Sequence, residues 1–108
     1  MVNHIDPQEV ARRLKTRSED LLLLDVREPW ERETASIDPS MHIPMNDVPG
    51  RWSELPREKA LVVYCHHGAR SEMVAGFLES QGFSRVINLR GGIDAWSVHV
   101  DPSVPRYS

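Results

Sequence analysis

The chain has 108 residues, 40% of them apolar and 27% charged, with 13 Lys and Arg against 16 Asp and Glu and a formal net charge of −3. That length fits one domain able to bury roughly 65% of the surface its unfolded chain exposes, and the charge balance speaks against nonspecific nucleic-acid binding, which needs clustered cations to neutralise phosphates. The one cysteine excludes an intramolecular disulfide, and the longest aliphatic run, 21–24, falls far short of the ~20 residues that span a membrane.

An N-terminus without a signal-peptide pattern and an unpaired cysteine predict a soluble, cytoplasmic protein in a reducing compartment. Residues 1–108 are expected to form one domain, with a core at about 4–100 and a tail at 101–108. His4-Ile5-Asp6-Pro7-Gln8-Glu9 reads as a helix start: Asp6 can cap, Pro7 suits the first helical position, and Glu9 completes a capping-box-like pattern. Val10, Ala11 and Leu14 give its apolar face, and it fades at 16–18. Arg12, Arg13, Lys15 and Arg17 read as a solvated face rather than a polyanion patch.

The run 21–26 suits a strand buried on both faces of a parallel sheet, with Asp25 and Arg27 at the strand end, where functional residues of such sheets collect. A short helix is predicted over 29–35, a brief strand over 41–45 closed by Pro44, and a helical stretch over 46–55 interrupted by Pro49-Gly50 and ended by Pro56. Residues 60–65 form the clearest strand, apolar and β-branched, and therefore central. After a polar loop, Met73, Val74, Phe77 and Leu78 share a helix face that Gly82 stops. Residues 85–89 make another strand, Gly91-Gly92 a turn, and Ile93, Trp96 and Val100 a last helix. The tail carries Pro102 and Pro105 and is expected to be extended, packed or frayed. Alternating strands and helices predict an α/β fold, a parallel sheet with helices on both faces. Trp30, Trp52 and Trp96 read as core or lid packing.

The placement of Cys65 is the main functional signal. It ends a buried strand and precedes His66-His67-Gly68-Ala69-Arg70-Ser71, a loop running straight into a helix N-terminus. Unpaired N–H groups and the helix dipole favour an anion there. If the loop curls, its amides form a nest that favours a nucleophilic thiolate and the persulfide made from it. Gly68 allows the tight path, Arg70 adds charge, and His66 and His67 add donors. The competing reading is a small buried hydrophobe. Cys65, His66 and His67 make a poor metal set, because adjacent residues seldom converge on one ion and no fourth ligand is apparent; no metal or cofactor is expected. The two imidazoles read as loop-shaping or surface groups, and Asp25 as an acceptor of loop N–H bonds that would thereby support the site.

Cys65-His66-His67-Gly68-Ala69-Arg70-Ser71 resembles the active-site loop of rhodanese-homology domains. Leu24-Asp25-Val26-Arg27-Glu28, His42-Ile43-Pro44 and Asn88-Leu89-Arg90-Gly91-Gly92-Ile93-Asp94-Ala95-Trp96 resemble further family segments, in the family's order and over nearly the whole chain. The resemblance implies a small domain around a parallel sheet of about five strands. It implies a single-domain sulfurtransferase in which Cys65 takes sulfane sulfur from thiosulfate or a persulfide and hands it to cyanide, a thiol or a protein acceptor. His66 to Ser71 would bind the substrate, Arg70 would orient an anionic donor, and Asp25 and Arg27 would shape the pocket. Four residues separate Cys65 from Arg70. Related phosphatases and arsenate reductases carry one residue more, so the shorter loop favours sulfur over phosphate or arsenate. A rhodanese-like interaction module, or a carrier dedicated to one partner, is the alternative. The family's pattern is departed from at Ala35-Ser36-Ile37-Asp38-Pro39-Ser40, where Ala35 and Pro39 replace two glycines. This bears on the path of that connection and on one pocket wall, not on the nucleophile.

Overall fold

The computed structural model describes residues 2–16 and 20–108. Arg17 and Ser18, at the expected end of the first helix, lie outside the described residues. In chain order the elements are β1 (Asn3–Ile5), α1 (Pro7–Thr16), β2 (Leu21–Asp25), α2 (Pro29–Thr34), β3 (Met41–His42), α3 (Val48–Arg51) between 3-10 turns at Met45–Asp47 and Trp52–Glu54, β4 (Ala60–Tyr64), α4 (Ala69–Ser80), β5 (Val86–Leu89) and α5 (Gly92–His99). The five strands form one sheet in the order β1-β5-β4-β2-β3 with every pair parallel.

The middle place of β4 follows from its composition. A strand covered by helices on both faces cannot alternate apolar with polar residues, and all five residues of β4 are apolar and buried. Leu61 and Val63 pack with Val48 of α3 and Val74 and Leu78 of α4. Val62 and Tyr64 pack on the opposite face with Val10 of α1 and Ile93 and Trp96 of α5. Strand β2 divides in the same way, Leu24 to one face and Leu23 to the other. Gly82 closes α4 as expected, and Phe83 folds back so that its N–H reaches the Leu78 carbonyl (3.2 Å) and its ring joins the core. No helix among the described residues is long and apolar enough to cross a membrane.

The start of the chain differs from expectation. His4 and Ile5 do not open a helix; they pair with Asn88 and Leu89 as the edge strand β1. Three residues are too few to show a period, and their partner lies at the other end of the chain. The Asp6 carbonyl takes the first helical N–H bonds, from Glu9 (3.1 Å) and Val10 (3.2 Å), but its carboxylate binds Arg90 (2.7 Å). Glu9 likewise makes no capping box, because its carboxylate is held by Arg12 and Arg13 one turn on. Charge-assisted bonds at that spacing outcompete a neutral amide.

Of the tryptophans, Trp96 is buried and Trp52 packs edge-to-face with Phe83, while Trp30 is 56% exposed and makes a T-shaped contact with the Tyr107 ring. The tail is docked: Val104 is buried, and its carbonyl accepts the Ser97 hydroxyl (2.7 Å).

Leu61 is fully buried in the central strand. Leu61→Ala is expected to cost about 3 kcal/mol of stability, read as a lower urea midpoint with an unchanged slope.

Candidate active site

The carboxyl ends of β4, β2 and β5 meet at one end of the sheet, and Cys65 is the first residue beyond β4. It is 1% exposed. Its surroundings are polar at the sulfur: Sγ accepts the Gly68 N–H at 3.1 Å and the Ser71 N–H at 3.4 Å, with the Ser71 hydroxyl also 3.4 Å away. Gly68 turns the chain at φ 114° immediately before α4, in the left-handed region where a side chain is strained. The first intrahelical bond of α4 runs from Glu72 N–H to the Gly68 carbonyl (3.1 Å). The amides of Ala69 and Arg70 therefore have no helical acceptor and remain at the positive end of the helix.

The curl of the loop is imposed from behind by α5. Ile93 N–H donates to the Cys65 carbonyl (2.9 Å) and Asp94 N–H to the His66 carbonyl (3.1 Å). A trans peptide places its N–H opposite its C=O, so the amides of His66 and His67 point away from α5. This contact requires Gly92. It lies at φ 64°, and a Cβ there would sit 2.5 Å from the Cys65 oxygen and 2.4 Å from that of His66. Asn88, at the end of β5, supports the turn by donating to the Gly68 carbonyl (3.2 Å).

The residues at the end of β2 form a second, ionic layer. Arg27 is fully buried and binds both oxygens of Asp25 at 2.8 Å, the Ala35 carbonyl at 2.6 Å and the Tyr107 hydroxyl at 3.0 Å. Asp25 also accepts the Arg27 N–H (3.0 Å) and Arg32 (3.1 Å). Burial opposes ionisation of Asp25, but the hydrogen bonds from Arg27 outweigh it and hold the carboxyl below its usual range. Tyr107 donates to Glu31 (2.6 Å), and Glu31 receives a bidentate pair from Arg70 at 2.7 and 2.8 Å. The Arg70 hydrogen bonds, aided by Tyr107, bring Glu31 down to about 2. Burial first, then the bond to Glu31, pushes Tyr107 up to about 12. At neutral pH, neutral tyrosine thus stands between the Arg27 cation and the Glu31 anion.

Among the residues expected to form the site, Cys65, Gly68 and Ser71 converge on the sulfur, and Ala69 and Arg70 supply the first turn of α4. The Arg70 guanidinium, expected to orient an anionic donor, is paired with Glu31 through one N–H on each terminal nitrogen. The His66 and His67 rings are not donors to the sulfur. His66 stacks on Tyr107 (3.9 Å, 10°) and against His67, and its Nε2 is buried without a hydrogen-bond partner; burial lowers its basicity. His67 is exposed and faces Asp94 at 4.0 Å. Asp25 and Arg27 connect to Arg70 at one remove, through Tyr107 and Glu31. The atypical 35–40 connection is pinned by the Arg27 bond to Ala35, by the Tyr64 hydroxyl accepting Ile37 N–H (3.2 Å), and by Arg32 on Ser40.

Sequence reasoning missed Glu31, Tyr107 and the use made of Gly92. Gly92 had a signal in the Gly-Gly pair. Glu31 sits on a six-residue helix too short for a clear period, and Tyr107 lies in a tail with no local pattern.

A family model described as Rhodanese-like domain matches residues 6–99. A sulfurtransferase of Allochromatium vinosum is 44% identical over 104 residues, 96% of this chain and 96% of that protein. A thiosulfate sulfurtransferase of Coxiella burnetii is 31% identical over 98 residues, 91% of this chain and 87% of that one. The crystal structure of a rhodanese-related protein from Thermoplasma volcanium superposes with a TM-score of 0.84 at 31% identity, covering 97% of this chain and 99% of the other.

Two outcomes are expected. Gly92→Ala should displace the Cys65 loop, lowering the urea midpoint and slowing alkylation of Cys65 by iodoacetamide; a native alkylation rate would show that the α5 contact does not shape the nest. Glu31 is ionised down to about 2 when folded, against 4.5 ordinarily, so its share of stability is present above pH ~4.5 and is lost as pH falls toward 2. Urea unfolding between pH 6 and 3 should therefore decline less steeply in Glu31→Gln than in the wild type.

Proposed function

Because this chain belongs to the rhodanese-like domain family, we propose that it is a sulfurtransferase carrying sulfane sulfur as a persulfide on Cys65. The observation that carries this reading is the coordination of the Cys65 sulfur by backbone amides at the start of α4. Backbone N–H groups directed at the sulfur are fixed dipoles that meet negative charge, on the attacking sulfur and on the loaded persulfide alike. The name of the Allochromatium vinosum relative agrees with this chemistry, and that of the Coxiella burnetii relative with thiosulfate as one donor.

In the first half-reaction the Cys65 thiolate attacks the outer sulfur of the donor. A sulfur–sulfur bond forms at Cys65 as the donor's own sulfur–sulfur bond breaks. The released electron pair leaves on sulfite when the donor is thiosulfate, or on a thiolate when it is a persulfide. In the second, a thiophilic acceptor (cyanide, a thiol or a protein thiol) attacks the outer sulfur and Cys65 departs as thiolate. No net redox change occurs on the protein, and no cofactor is needed. Reducing, cytoplasmic conditions would keep the single cysteine available between turnovers.

Incubation with thiosulfate followed by intact-mass spectrometry should show a gain of one sulfur atom on Cys65, discharged by cyanide with an equal yield of thiocyanate. Cys65→Ser should form neither product while keeping its unfolding free energy in urea within about 1 kcal/mol of wild type. Sulfur transfer at the wild-type rate by that variant would overturn the assignment.

A further inference from the structure

The rhodanese-type loop raises the question of how a donor's charge is met, and the ionic layer answers it. Thiosulfate is a dianion, whereas an alkyl hydropersulfide is neutral when attacked. A site selecting the dianion gains from an unpaired cation at its mouth, because charges in a partly dehydrated cleft interact far more strongly than in water. Among the described residues no guanidinium at this end of the sheet is left without a carboxylate. Arg27 and Arg32 are on Asp25, Arg70 is on Glu31, Arg90 on Asp6 and Arg106 on Asp94.

The Arg70–Glu31 pair is the decisive one. Arg70 stands in the first turn of α4, one residue before Ser71, whose N–H and hydroxyl face the Cys65 sulfur. Both Glu31 oxygens face it at 2.7 and 2.8 Å, and the Glu31 side chain is only 4% exposed against 33% for Arg70. Glu31 is itself fixed on its remaining side by Tyr107 (2.6 Å) and by the Glu28 N–H (3.0 Å). Swinging Arg70 out to a donor would leave a buried carboxylate without its cation, which is strongly unfavourable. The pair is therefore a fixed neutral unit, and the groups facing the sulfur are uncharged: the Gly68 and Ser71 amides and the Ser71 hydroxyl.

We propose that Glu31, clamped by Tyr107, is a specificity-determining residue that cancels the charge of Arg70 and tunes the site to uncharged hydropersulfide donors over dianionic thiosulfate. This rests on the sulfurtransferase reading above. With a hydropersulfide RSSH, the Cys65 thiolate forms a bond to the terminal sulfur, the RS–SH bond breaks, and RS⁻ leaves with the electron pair; the proton stays on the transferred sulfur.

The test measures kcat/KM for loading of Cys65 from thiosulfate and from 2-mercaptoethanol hydropersulfide, in wild type, Glu31→Gln, and Glu31→Gln combined with Arg70→Gln. Wild type should favour the hydropersulfide by about tenfold or more. Glu31→Gln, which uncovers the Arg70 charge, should shift the ratio toward thiosulfate by about tenfold, chiefly through a lower KM for thiosulfate. The double variant is neutral again and should return to the wild-type ratio, an outcome that loosened packing would not give. A wild type that prefers thiosulfate overturns the proposal without any variant having to fold. An unchanged ratio in well-folded Glu31→Gln, or a double variant that keeps the shift, overturns it as well. Loading from either donor in these cases leaves the sulfurtransferase reading standing, whereas loading from neither overturns both.

Discussion

The site depends on two hydrogen bonds made by the start of α5 to the backbone of the loop that follows β4. Ile93 and Asp94 draw the carbonyls of Cys65 and His66 outward, and the planarity of the peptide turns the following amides the other way. A loop of this composition in isolation would have no reason to curl, since aligning amide dipoles around one point is electrostatically unfavourable until an anion sits there. The cost is met by tertiary contacts: α5 behind the loop, Asn88 beneath Gly68, and the continuation of the chain into α4. Only a residue without a side chain lets the two backbones approach so closely, hence Gly92.

A second layer of control is ionic and lies away from the sulfur. Asp25, Arg27, Tyr107, Glu31 and Arg70 form a continuous chain of hydrogen bonds from the end of β2 to the first turn of α4. Buried charges are tolerable when each is paired and its remaining hydrogen-bonding positions are filled, and that condition is satisfied here. Its consequence is rigidity. The Arg70 guanidinium at the start of α4 is held to a carboxylate rather than left to sweep through solvent, and the groups that face the Cys65 sulfur are the Gly68 and Ser71 amides and the Ser71 hydroxyl. His66, sandwiched between His67 and Tyr107, ties the docked tail to the same loop.

Much of this architecture could be read along the chain. The unbroken apolar run of β4 marked it as central, because only a strand covered on both faces tolerates such a run. The helical face of Met73, Val74, Phe77 and Leu78 and the stop at Gly82 marked α4. The strand–Cys–glycine–helix succession pointed to an anion nest. These features are legible because they are local: each is a short-range pattern imposed by the period of one element or by the conformational needs of one residue. Strand β1 was not legible, being three residues long with a partner near the far end of the chain. Nor were the caps of α1, where Asp6 and Glu9 had acceptable local partners but found stronger charged ones in Arg90, Arg12 and Arg13.

The sequence by itself determined the class of fold, the position of Cys65 at a strand end and the length of the loop that follows it, since composition, period and spacing are properties of neighbouring residues. Only the tertiary structure decided which way the loop amides face, that Arg70 is neutralised by Glu31, and that Tyr107 from the tail joins them. Those facts depend on groups brought together from the ends of separate strands and helices. The energy of a buried ion pair or a backbone contact depends on distances that no local pattern specifies.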